Sequence, residues 1–212
     1  MRDHQTRQRV LEAAARLFAE RGFKKVTVRE ICGMAHANVA AVNYHFGDKL
    51  GLYREVLQAA IDVMRRTSEA AQLAGGAGSP EEKLRAHIHV YLHRLLSHGG
   101  DSWLHRLLNR EISDPTPALD VIVEQAIRPR VEYLRGLVGG LLNCRPTDER
   151  VIRSVASIQA QCIMALPNPI GRRLRPAFTF AAGEIDKLAE HIADFSIAGI
   201  REIGRVPESR RH

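Results

Sequence analysis

Along most of this chain the apolar residues recur at intervals of three and four, and alternation at two is nearly absent, so the pattern predicts helices throughout. Val10, Leu11, Ala14, Leu17 and Phe18 form the first stripe, which predicts a helix from about Thr6 to Arg21 with Gly22 as its stop. The next two predicted helices are short. Thr27 and Glu30 spell a capping box, in which the Thr27 hydroxyl accepts from the Glu30 amide and the Glu30 carboxylate reaches back to the Thr27 amide. Val26 and Ile31 occupy the flanking staple positions. After Met34, the segment Ala35-His36-Ala37 leaves room only for a turn; Asn38 is the next N-cap, and Val39, Val42 and Phe46 follow at helical spacing. Gly47 ends that helix. Asp48 caps a longer one that carries Leu52, Tyr53, Val56, Ala59, Ala60 and Val63 to about Ala71.

Farther on, Ala74 to Gly78 breaks the helix, and Ser79-Pro80-Glu81-Glu82 starts another with an N-cap, a proline at the first helical position and a glutamate at N3. It runs to Ser97 and ends at His98-Gly99-Gly100. Asp101 caps a short helix from Ser102 to Ile112. In Asp114-Pro115-Thr116-Pro117, Thr116 is expected to cap, and Pro117 to open, a long helix that reaches about Asn143 and is kinked at Pro129, whose ring removes a backbone bond. Thr147 is expected to cap a helix that ends near Leu166. The pattern from Ile170 to Gly183 is mixed. A last helix from about Glu184 to Gly204 carries Ile185, Leu188, Ile192, Phe195, Ala198 and Ile203. The expected architecture is all-α with about nine helices. A three-helix helix-turn-helix domain (residues 1–50) is joined by a connecting helix to a larger helical effector-binding and dimerisation domain (51–206), followed by a disordered tail (207–212).

Composition narrows the partners. The formal net charge is +7 over 212 residues, which favours an anionic partner, nucleic acid first among them. Cys32, Cys144 and Cys162 are odd in number and widely spaced, which argues against a disulfide framework or a zinc cluster. No apolar run is long enough for a membrane span, and Met1-Arg2-Asp3-His4-Gln5 is too polar to open a secretory signal, so a cytoplasmic location is expected. His89 and His93 lie one helical turn apart, but no H-E-x-x-H, cysteine pair or acidic ligand joins them in sequence; no metal and no cofactor are expected. G-x-S-x-G, P-loop and dinucleotide fingerprints are all missing, so an enzyme is not expected.

Three segments resemble the TetR family of bacterial transcription regulators: R-V-L-E-A-A-A-R-L-F-A-E-R-G-F from Arg9 to Phe23, T-V-R-E-I from Thr27 to Ile31, and V-N-Y-H-F-G-D-K from Val42 to Lys49. R-E-I-S-D-P-T-P-A-L from Arg110 to Leu119 and A-A-V-N-Y-H-F from Ala40 to Phe46 are similar to its CecR-like branch, regulators linked to antibiotic sensitivity and efflux. Where the family usually has glycine in the interhelical turn, this chain has His36. The resemblance implies a homodimer on palindromic double-stranded operator DNA, each subunit placing its third helix in a major groove, and a repressor released by a small drug-like or amphipathic effector.

On that reading, Thr27, Asn38, Tyr44 and Lys49 hold phosphate, and Asn43 pairs with an adenine edge while Val39, Ala40 and Ala41 approach thymine methyls. The alternative for Ala40 and Ala41 is simple packing. Dimerisation is expected through Val151, Val155 and Ile158 with Leu188, Ile192 and Phe195, unless both faces pack inside one chain. An effector pocket is expected from Tyr91, Trp103, Arg106, Arg110, Glu111 and Phe178, although Trp103 and Tyr91 suit a core equally well. A ligand-independent DNA-binding protein and a metal-responsive regulator stand as alternatives.

Overall fold

The computed structural model describes residues 2–96, 103–166, 173 and 181–205. Among these, every regular element is helical: α1 (Arg2–Arg21), α2 (Val28–Ala35), α3 (Val39–Phe46), α4 (Lys49–Gly75), α5 (Pro80–Leu96), α6 (Trp103–Ser113), α7 (Ala118–Ile122), a π turn (Val123–Ile127), α8 (Arg128–Leu142), α9 (Glu149–Met164) and α10 (Ala182–Arg205). No helix among the described residues is long and apolar enough to cross a membrane. Phe178, the expected disordered tail and, apart from Arg173, the stretch of mixed pattern as far as Phe180 lie outside the described residues.

The chain divides into two compact units, the first formed by Met1–Met64 with Asp101–Ala126, the second by Arg65–Gly100 with Ile127–His212. In the first, α1 supplies Val10, Ala14, Leu17 and Phe18 to a core shared with Val26, Ile31, Val42, Leu52 and Val56. Phe18 meets Tyr53 edge-on at 5.0 Å, and each buried aromatic or large aliphatic side chain here contributes about 1.5–3 kcal/mol of transfer free energy. Helix α6 joins this unit through two adjacent residues. Arg110 Nη2 donates to the Glu20 carbonyl at 3.0 Å, close to Gly22, whose φ of +79° ends α1; a Cβ there would stand 3.0 Å from the Arg110 side chain. Glu111 is 1% exposed and accepts from Tyr53 Oη at 2.5 Å and from the Thr116 amide and hydroxyl at 3.1 and 2.8 Å. A buried carboxylate is tolerable only when its lone pairs are filled in this way. Burial and the neighbouring Glu111 carboxylate push the Tyr53 phenol above its ordinary range.

The second unit is built on a ladder of Leu84, Ile88, Leu92 and Leu96 from α5, with Leu134 and Val138 from α8, Val151, Val155 and Ile158 from α9, and Ile185, Ile192, Ile197 and Ile200 from α10. Helix α1 begins at Arg2 rather than about Thr6, α4 runs to Gly75 rather than about Ala71, and three details of capping and continuity also differ from the sequence reading. The Thr116 hydroxyl is given to Glu111, and α7 begins after Pro117 without a side-chain cap. Asp148, not Thr147, caps α9, accepting from the Arg150 amide at 2.9 Å. Pro129 is met by the π turn that immediately precedes α8, so the run from 118 to 142 absorbs the proline by widening.

Candidate functional site

Helix α2 starts as a complete capping box. Thr27 is extended (φ −105°, ψ 153°), its hydroxyl accepts from the Glu30 amide at 3.3 Å, and the Glu30 carboxylate accepts from the Thr27 amide at 2.8 Å. Thr27 Oγ1 also donates to Glu30 Oε2 at 2.7 Å, and Arg21 pairs with Glu30 Oε1 at 2.7 Å. These bonds, the Thr27 hydroxyl first, pull the Glu30 carboxyl down to about 2, so it is ionised at neutral pH. Val26 and Ile31 are both buried at the staple positions.

The turn that follows is set by His36, which sits in the left-handed region (φ 48°, ψ 48°). A side chain there costs about 1 kcal/mol relative to glycine, offset by the bonds the turn closes: the His36 amide donates to Gly33 O and the Ala37 amide to Cys32 O. Asn38 then caps α3, its Oδ1 accepting from the Ala40 amide at 3.0 Å, and Asp48 caps α4 through the Gly51 amide at 2.7 Å. An eight-residue helix is marginal alone, and α3 is held by its cap and by Val42 and Phe46, which are buried.

Burying those two side chains decides what α3 offers outward. Val39, Ala40, Asn43 and Tyr44 are exposed, Tyr44 by 77%, while Ala41 and His45 are half-buried. Lys49, at the start of α4, stands with Nζ 4.5 Å from the centre of the Phe23 ring, and Asn38 is exposed beside α3. The exposed patch thus contains Asn38, Val39, Ala40, Asn43 and Tyr44. Thr27 is also exposed, but its hydroxyl proton is committed to Glu30, so a phosphate arriving there competes with the cap.

Of the residues expected to line an effector pocket, Phe178 lies outside the described residues and the other five divide between the two units. Arg106 pairs with Glu20 at 3.7 Å, Arg110 and Glu111 hold α6 in the first unit as described above, and Trp103 is half-buried in that same unit. Tyr91 belongs to the second unit, where it lines a small cavity with His87, Arg130, Leu134, Ile158, Gln159 and Cys162. Arg130 lies 4.9 Å above the Tyr91 ring and donates to its hydroxyl at 3.3 Å. His87 is 4% exposed, with Nδ1 lacking a hydrogen-bond partner among the described residues, and burial brings its imidazole down to about 4, so it is neutral at pH 7. Burial likewise pushes the Cys162 thiol up to about 12. Of these lining residues only Tyr91 is among those expected at an effector pocket; Ile158 is expected at a dimer interface, Cys162 is one of the three scattered thiols, and His87 lies on the α5 flank beside Ile88.

Of the residues expected at a dimer interface, Val151, Val155, Ile158 and Ile192 are buried within their own chain. Leu188 packs half-buried against the same core, and Phe195 is 65% exposed. The outer faces of these helices carry Ile152, Ile163 and Met164 on α9 and Phe195 and Ile203 on α10.

Two capped short helices around a tight turn, the second with a small-residue outward face, define a helix-turn-helix DNA-binding regulator. Residues 10–56 match the bacterial regulatory proteins of the TetR family, and residues 80–200, more than half the chain, match the C-terminal domain of the HTH-type transcriptional dual regulator CecR. The chain therefore belongs to the TetR family, with a CecR-type C-terminal domain. It is similar to CecR of Shigella flexneri, 29% identical over 163 residues covering 72% of this chain and 71% of the relative. In fold it is similar to the fatty acid degradation regulator FadR of Bacillus halodurans (TM-score 0.65, 14% identity, 92% of this chain and 96% of that one). A second neighbour is the hemolysin II regulator HlyIIR (TM-score 0.60, 20% identity, 91% and 97%). The protein is a DNA-binding transcription regulator and not an enzyme.

Proposed function

We propose that this regulator binds palindromic operator DNA as a homodimer, with α3 in the major groove, and that it is a repressor released by a small amphipathic effector. The observation that carries the reading is the outward face of α3, where Val39, Ala40, Asn43 and Tyr44 project opposite the buried Val42 and Phe46. Asn43 offers the donor and acceptor pair that matches adenine N6 and N7, and the short Val39 and Ala40 allow close approach to thymine methyls. Ala41, half-buried, contributes at the edge of that surface. Tyr44, Lys49, Asn38 and, where its cap yields, Thr27 hold phosphate and set register.

Binding to a selected operator is the test. Asn43→Ala should cost about 1–3 kcal/mol and relax one base position, whereas Lys49→Ala should weaken all sequences alike and reduce the salt slope by about one. Unchanged binding by both variants would remove α3 from the groove.

The second copy is proposed to cover Ile152, Ile163, Met164, Phe195 and Ile203, which one chain leaves exposed. Phe195→Arg should then sediment as a monomer. The effector is proposed to enter the second unit at the cavity of His87, Tyr91 and Arg130, where an orphaned imidazole nitrogen and a guanidinium meet apolar walls. A screen for compounds that release the operator, with a coupling of about 1–3 kcal/mol, separates this from a ligand-independent DNA-binding protein, which no compound would release.

A further inference from the structure

The facing edges of α5 and α10 carry two rows of charged and titratable groups. On α5, Glu81, Arg85, His89 and His93 follow one another at intervals of four, which keeps them on one side of the helix. On α10, Arg201, Asp194 and Asp186 run in the opposite direction. The first two rungs match one cation to one anion: Glu81 with Arg201, and Arg85 with Asp194 at 2.6 Å. The third rung does not. Oδ1 of Asp186 lies 2.8 Å from Nε2 of His89 and 2.6 Å from Nε2 of His93, and the two rings are 4.5 Å apart. The rung brings two imidazole nitrogens to one carboxylate oxygen, and the three ligand atoms all lie within 4.8 Å of one another.

We propose that His89, His93 and Asp186 are a binding site for a borderline divalent transition-metal ion of the zinc, nickel or copper class, which staples α5 to α10. Imidazoles four residues apart on one helix face present their Nε2 atoms to a common point, and a carboxylate from the facing helix completes a set of two nitrogens and one oxygen that these ions accept. Metal–ligand bonds of about 2.0–2.2 Å in a tetrahedron place the ligand atoms about 3.3 Å apart, so the observed 2.6 and 2.8 Å gaps need only small side-chain rotations. All three groups are partly exposed, so an ion reaches them from solvent, and water or an anion takes the remaining position. Nothing near either histidine in the sequence reveals the third ligand, because Asp186 is 93 residues beyond His93. The site lies within the second unit and stands independently of how α3 reads DNA.

The test is calorimetric titration of the chelator-treated full chain with zinc ions alone. About one equivalent should bind per chain, and the melting temperature should rise with zinc concentration. His93→Gln and Asp186→Asn should each weaken binding by at least the about tenfold that even outer-shell substitutions cause in metal sites. His191→Gln, an exposed histidine of α10 outside the cluster, should bind as the parent chain does. Cobalt(II) gives a second readout: the visible bands of the loaded parent chain should be missing in His93→Gln, with circular dichroism showing that the variant is folded. Failure of the chelator-treated chain to bind zinc, or equal affinity in all four proteins, would overturn the assignment, the latter by moving the metal to other groups such as the thiols.

Discussion

The α2–α3 pair and the α5–α10 pair both fix one helix against another, and they do so with opposite kinds of contact. Around α2 and α3 the defining bonds join residues two or three apart: Thr27 with Glu30, Asn38 with Ala40, Asp48 with Gly51. Between α5 and α10 they join residues about a hundred apart, Arg85 with Asp194 and His93 with Asp186. Local bonds need little loop closure and form with the helix they cap. Distant ones require a long loop to be closed, a cost that packing of the core of Leu84, Ile88, Ile192 and Ile197 offsets. A recognition surface that must be presented identically in every molecule is thus fixed by short-range chemistry, while the larger unit depends on packing that its exposed pairs merely decorate.

The largest expected effect breaks this contrast from within the first unit, because Glu111 makes a distant contact there. Glu111→Ala leaves the buried Tyr53 hydroxyl and the Thr116 amide without their acceptor and should cost about 3 kcal/mol, measured by urea unfolding. A loss below about 1 kcal/mol would show that water replaces the carboxylate. Next comes the cap itself: Thr27→Ala should cost about 1 kcal/mol, seen as a lower melting temperature together with faster amide exchange in α2. Acid probes the same box. Because Glu30 is depressed from the ordinary 4.5 to about 2, its contribution is complete above pH 4.5 and is lost as the pH falls toward 2, so Glu30→Gln should flatten the stability curve across that window. A smaller gain, about 0.5–1 kcal/mol, is expected from His36→Gly, since the left-handed φ of 48° no longer burdens a side chain; a decrease in stability would instead assign the His36 ring a packing role. The smallest effect should be Arg85→Met, below about 0.5 kcal/mol in denaturation, because both partners of that pair are well exposed.

The same division explains how far the sequence could be read. The starts of α2 to α5 and the caps at Thr27, Asn38, Asp48 and Ser79 are short-range features, and residues spaced by three or four announce them, whereas α1 begins four residues before the expected Thr6 and α4 ends four residues past Ala71. Thr116 was misread because its hydroxyl answers to Glu111, whose own need for donors also involves Tyr53, 58 residues away from it. Thr147 and Asp148 are adjacent good caps, and nothing local chooses between them. On α10 the bulky Leu188, Phe195 and Ile203 drew attention, yet small residues, Ala189, Ala193 and Ser196, are the ones turned inward beside Ile197 and Ile200. Hydrophobicity marks a candidate face; the closeness of the neighbouring helix decides which face fits. The outward face of α3 was legible because two buried anchors fix it, whereas the cavity around His87 is assembled from three helices and only Tyr91 was expected at a pocket.

One consequence follows from the π turn at Val123–Ile127, and it concerns insertions and deletions. Ile122, Ala126, Leu134, Val138 and Leu142 are all buried, and their spacing is a multiple of four throughout. A regular helix of 3.6 residues per turn would rotate such a series steadily away from any one direction. The wide turn holds one residue more than an α turn and takes up part of that drift. Removing a single codon between 123 and 127 would give back an ordinary α turn with little net rotation, because the wide turn and the α turn each complete about one revolution. Removing a codon between 130 and 133, inside α8, takes away no wide turn and would swing Leu134, Val138 and Leu142 by about 100° out of the core they share with Leu84 and Val155.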